Sequence, residues 1–140
     1  MSAAPLLQQV RDAMEGVLPA VVATCAADGT PNVTYLSKVV FVDAENVALS
    51  NQFFSKTVDN VRQNPHAQIT LIRPSSGQQV RLEAQLVRSE DGGELFEQVR
   101  AEIDAIASIM HLEAVFKLRS VDVYRVQRVE LVASDNGAAP

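Results

Sequence analysis

Between Ser50 and Asn60 the chain reads SNQFFSKTVDN, and hydrogen-bond donors crowd this stretch: hydroxyls at Ser50, Ser55 and Thr57, an amide at Asn51 and an ammonium at Lys56. Serine at 55 is an ordinary helix N-cap, whose side-chain oxygen takes an N–H of the first turn. Lysine directly after it is out of place, because a helix N-terminus carries partial positive charge and favours acidic residues. The chain has only three lysines, Lys38, Lys56 and Lys117. An anion held between the ammonium and the free helix N–H groups removes the conflict, and phosphate is the anion that such a donor set suits. Without a ligand the same residues read as an N-cap followed by a solvated charge, at a cost of up to roughly 1 kcal/mol.

For these groups to converge, a strand has to end near Asn51 and a helix has to begin near Ser55, joined by a loop of about four residues, a common length. VALSN is short and apolar enough to be that strand, and Val58 and Val61 carry the helix to a stop at Asn64-Pro65. Upstream, AVVATCA and NVTYLSKVVFV flank an Asp28-Gly29 turn and form a hairpin. The returning segment puts Val33, Tyr35, Ser37, Val39 and Phe41 on one face and Thr34, Leu36, Lys38, Val40 and Val42 on the other. Both faces are largely apolar, as in a central barrel strand.

Downstream, AQITLI and QQVRLEAQLVRS are two more strands, the second with Val80, Leu82, Ala84 and Leu86 in alternation. Leu95, Phe96, Val99, Ile103, Ile106 and Met110 mark a long amphipathic helix, with Glu94, Glu97, Glu102 and Asp104 on its solvated side. AVFKLRSVDVYRVQRVEL supplies one or two strands. At the start, Leu6, Leu7, Val10, Met14, Val17 and Leu18 predict an amphipathic helix within residues 1–18, and residues 134–140 read as a frayed tail. The pattern is that of one domain over residues 1–140, in the α+β class, a small antiparallel barrel with helices at its ends.

Composition narrows the function. Twelve basic against 17 acidic residues give a formal net charge of -5 and a pI near 4.9, which argues against a nucleic-acid partner. His66 and His111 have no ligand-spaced partners, so no metal site is expected, and the one cysteine, Cys25, reads as a small apolar residue in a reducing compartment. No run of 18 apolar residues and no secretory leader is visible, so the expectation is a cytoplasmic protein without a membrane partner. Glycine-rich phosphate loops and the nucleophile elbow are absent, and no side chain stands out as a catalytic acid or base.

The run DGTPNVTYLSKVVFVDAENVALSNQFFSKTVDNVRQNPHAQITLI resembles the FMN-binding split barrel of the pyridoxamine 5'-phosphate oxidase-like family. That family has a G-x-P hairpin, a strand ending in small hydroxyl residues, and a helix start of the form S-R-K-x-x-N-L-x-x-N-P. The resemblance implies a Greek-key-like split β-barrel with flanking helices, FMN as cofactor, and a homodimer with the flavin between subunits. It implies that the phosphate is held by Ser50, Asn51, Ser55, Lys56 and Thr57, that the flavin ring lies along Tyr35, Leu36 and Ser37, and that Gln79, in QQVRLEA, reaches the flavin. Lys56 then Thr57 stand where the family often has Arg then Lys, so a point charge replaces a bidentate fork. The tail after Leu131 carries no Arg or His, so the substrate-binding groups of the true oxidase have no counterpart. The resemblance therefore implies a flavin-dependent oxidoreductase acting on a small molecule; a non-catalytic flavin module, or a split barrel that has taken haem or the deazaflavin F420, remains an alternative.

Overall fold

The computed structural model describes residues 4–15, 18–36, 38–52, 56–112 and 117–132. Seven strands form one antiparallel sheet among them: β1 (Ala20–Cys25), β2 (Pro31–Leu36), β3 (Val39–Phe41), β4 (Asn46–Asn51), β5 (His66–Ile72), β6 (Gln79–Glu90) and β7 (Ser120–Leu131). Their order across the sheet is β2-β1-β5-β6-β7-β4-β3. The two strands at the ends of that order, β2 and β3, are consecutive in sequence, so the curled sheet closes on itself through the chain around residues 36–39. This is the split barrel.

The stretch expected as one long strand is therefore a bent run that changes partner. Its first half pairs with β1, Tyr35 opposite Val21, and its second half pairs with β4, Val39 opposite Leu49. The two apolar faces have different explanations on either side of the bend. Leu36 and Val39 enter the barrel core, while Val40 is buried under α3 (Glu94–Met110) with Ala48, Val99, Ile103, Val121 and Val123. On the outward face of β2 Val33 and Tyr35 are left open, 63% and 72% exposed. Alternation along β6 and β7 sends Val80, Leu82, Ala84, Tyr124 and Val126 inward, and the final apolar segment is one strand.

At the N-terminus two short pieces stand in place of the one helix expected, α1 (Ala4–Gln9) and a 3-10 turn (Arg11–Met14); Leu18, expected on the apolar face, is half exposed, and Val17 lies outside the described residues. Leu7, Val10, Ala13 and Met14 all reach the core this way. Tightening after Gln9 also brings Asp12 to Arg73, whose Nε donates to Asp12 Oδ2 at 3.1 Å, a contact that holds the segment against the loop after β5. The Asp28-Gly29 turn forms as the sequence indicates, with Gly29 at φ 92 and Thr30 N–H donating to Asp28 Oδ1 at 3.0 Å. The frayed tail expected over 134–140 lies outside the described residues.

Candidate functional site

The helix required after Asn51 is α2 (Lys56–Gln63). Val61 is buried against the barrel core and Val58 packs on it, so the helix lies over one end of the barrel with its polar side outward. Two side-chain bonds seat it. Asn32 Nδ2 on β2 donates to Thr57 Oγ1 at 3.2 Å, and Asn60 Nδ2 on α2 donates to Thr24 Oγ1 on β1 at 3.1 Å. Asn32 and Thr24 are themselves cross-strand partners, so one rung of the sheet holds one face of the helix.

Lys56 opens the helix and is exposed, with no ion pair among the described residues. Three of the other expected phosphate ligands are turned inward. Thr57 is 2% exposed, and its hydroxyl accepts from Asn32. Ser50 is buried, its Oγ accepting from Lys38 N–H at 3.2 Å while its own N–H donates to Lys38 O at 3.1 Å. Asn51 is buried, and its Nδ2 donates to Ser120 Oγ at 3.0 Å. Ser55 and Ser37 lie outside the described residues. Leu36 belongs to the core, whereas Tyr35 faces out.

Gln79 stands apart from this group. It is the first residue of β6 and exposed; Val80, next to it, is the inward residue. Pairing sets Tyr35, Val21, Thr70 and Arg81 in one outward row across four strands, which separates β2 from β6 by about 14 Å at the usual strand spacing. The structure thus joins Thr57, next to Lys56, to Asn32 within one chain, puts Tyr35 on the opposite face of β2, and leaves Gln79 three strands away.

Below Asn51 is a polar cluster that the motif did not reveal. Ser120 Oγ and Ser89 Oγ both donate to Asp122 Oδ1, at 3.0 and 2.8 Å, and Asp122 is 4% exposed. Burial raises the Asp122 carboxyl above the usual carboxylate range, and the two hydroxyl bonds only partly oppose this. Tyr124, two residues on, is pushed well above the ordinary phenol value, first by burial and then by the charge of Asp122. Its hydroxyl has no protein partner among the described residues. The visible signal was a carboxylate inside the otherwise apolar alternation of SVDVY. Among the described residues no three His, Cys, Asp or Glu side chains are grouped to hold a metal, and no helix is long and apolar enough to cross a membrane.

A family model described as pyridoxamine 5'-phosphate oxidase matches residues 6–133. The chain belongs to that family. Among solved structures, an FMN-binding protein from Syntrophomonas wolfei subsp. wolfei superposes with a TM-score of 0.78 at 15% identity, over 94% of this chain and 89% of the other. HutZ, the haem storage protein of Vibrio cholerae, matches with a TM-score of 0.58 at 21% identity, over 94% of this chain and 95% of its own. An F420 reductase matches with a TM-score of 0.61 at 15% identity, over 86% and 94%. At these identities the likeness is one of fold, shared by proteins whose names give three different cofactors. Comparison with curated proteins gave no match.

Proposed function

We propose that this member of the pyridoxamine 5'-phosphate oxidase family is an FMN-binding protein that acts as a flavin-dependent oxidoreductase on a small molecule. The observation that carries the reading is the seating on β2 of the helix start that exposes Lys56. Asn32 fixes the first turn of α2 through Thr57; Tyr35, three residues further along the same strand and about 10 Å away, points to the opposite, outward face. An exposed ammonium thus opens a helix that is seated on β2 through Thr57 and Asn32, and an ammonium beside helix N–H groups suits a phosphate. Within this reading Lys56 and the free N–H groups of the first turn hold the phosphate, Tyr35 packs on the ring system, and Thr57 and Asn32 set the angle of the helix. The inward hydroxyls of Ser50 and Thr57 and the Asn51 amide stiffen the cradle from behind. Bound FMN would supply hydride or single-electron chemistry, and the chain supplies binding, orientation and electrostatic tuning.

The same reading includes a homodimer. Val33 and Tyr35 on β2 and Ile72 on β5, one strand beyond β1, are exposed apolar side chains on the outward face of the sheet, and a second copy covering them encloses the ring beside Tyr35. The test is the visible spectrum of the purified protein, followed by titration with FMN and assay of reoxidation by an added acceptor. Flavin bands and saturable FMN binding are expected. A Soret band or a deazaflavin spectrum would replace FMN with haem or F420, and tight FMN binding without turnover would make the protein a flavin carrier or sensor.

A further inference from the structure

On the side of the barrel covered by α3, the 3-10 turn, β3 and the helix enclose a hollow of about 160 Å³, whose lining includes Arg11, Glu15, Lys38, Phe41, Gln98 and Glu102. Glu102 was expected on a solvated helix face, yet its Oε2 is buried and accepts no hydrogen bond from the described residues. The nearest cation is Lys38, whose Nζ is 3.8 Å away, beyond hydrogen-bond length. Lys38 is itself only 13% exposed along its side chain and gives one N–H to the Met14 carbonyl at 2.7 Å. Across the hollow, the Arg11 guanidinium stacks over Phe41 at 4.3 Å and makes no ion pair among the described residues. The walls therefore present unused donors on Arg11 and Lys38 and an unused buried acceptor on Glu102.

We propose that this hollow binds a small zwitterion of the free α-amino-acid class. The lining carries two positive and two negative side chains, so a ligand with no net charge but separated ammonium and carboxylate groups matches it. Arg11 and Lys38 receive the carboxylate, Glu102 Oε2 receives an ammonium N–H, and Gln98 can donate or accept. Two carboxylates disfavour a phosphate, and the polar walls disfavour a purely apolar guest. The hollow is the smallest-scale kind of ligand site, below the several hundred Å³ of a drug-sized pocket, which suits a guest of few heavy atoms. The proposal is independent of any flavin, since none of these residues belongs to the Lys56 and Tyr35 group.

The test is a titration followed by backbone amide resonances, with L-alanine and L-serine as probes and acetate and methylammonium as half-ligands. Concentrations up to about 50 mM cover dissociation constants on the order of 1 mM. Saturable shifts are expected at Met14, Lys38, Gln98 and Glu102 with the amino acids, and much weaker binding with either half. Glu102→Gln and Arg11→Gln should each weaken binding about 10- to 100-fold. Arg11 is exposed, so its variant keeps the test sound if Glu102→Gln loses its dispersed spectrum. Absence of saturable shifts with both amino acids, unchanged affinity in the Arg11→Gln protein, or acetate binding as well as alanine would overturn the proposal.

Discussion

Asn32 and Thr57, 25 residues apart, are joined side chain to side chain at 3.2 Å, and through them the edge strand of the barrel sets the position of the helix start that carries Lys56. Thr57→Val keeps the shape and removes the acceptor, leaving the Asn32 amide short of a partner in a part-buried place. A loss of about 1 kcal/mol is expected. Urea unfolding should show a lower midpoint with an unchanged slope. An unchanged midpoint would mean that the bond adds nothing to the seating of α2.

Lys56 is exposed at the positive end of the helix, where it gains nothing from the fold itself. Lys56→Ala should leave the ligand-free melting temperature unchanged or slightly higher. FMN affinity, measured by fluorescence quenching, should fall about 10- to 100-fold, the effect of losing one charge-assisted hydrogen bond. Equal affinities in the two proteins would remove Lys56 from the site.

Asp122 links stability to pH. Burial raises its carboxyl above the ordinary 3.8, so over the interval between 3.8 and the folded value the native chain holds a proton that the unfolded chain has released. Stability contributed by this group is complete below that interval and is lost as pH rises through it. Asp122→Asn cannot ionise and can still accept from Ser89 and Ser120. The variant should gain on the wild type as pH is raised from 3 to 7 in urea titrations, and parallel curves would dismiss burial as the cause.

Val33 is 63% exposed on the outward face of β2, beside Tyr35. If a second copy covers this face, Val33→Asp places an unpaired charge in the contact. Sedimentation at micromolar concentration should show a dimer for the wild type and a shift to monomer for the variant. A wild-type monomer would count against the dimer.

How far the sequence reveals the molecule depends on which interactions are local. The strand and helix that meet around Asn51 and Lys56 are legible because β-branched runs, Asn64-Pro65 and the Asp28-Gly29 turn are signals within a few residues of one another. The bend between Leu36 and Val39 is not. Apolar residues on both faces look the same whether the second face is covered by α3 or by another chain, and only the pairing of Val39 with Leu49 separates the cases. At the site, Lys56 stands out as an anomaly of charge against dipole. Nothing local distinguishes an outward hydroxyl from an inward one, so Ser50 and Thr57 looked like ligands although their oxygens face Lys38 and Asn32. Glu102 shows the same limit, since its buried oxygen follows from Lys38, 64 residues before it on another element.

The closure of the sheet through residues 36–39 makes this seam a clasp. β4 is held along its other side by six paired residues of β7, whereas on this side it pairs with only the three residues of β3, and the Lys38 backbone adds one carbonyl and one N–H bond to Ser50 at the seam end. Transient opening of the molecule without global unfolding would begin there, and amide hydrogen exchange at Lys38 and Ser50 would run ahead of exchange at Ala48 and Val123 in the middle of the β4–β7 ladder. Opening would free the strand that leads to Lys56 from its β3 side, so a ligand held at the start of α2 would also act as the latch.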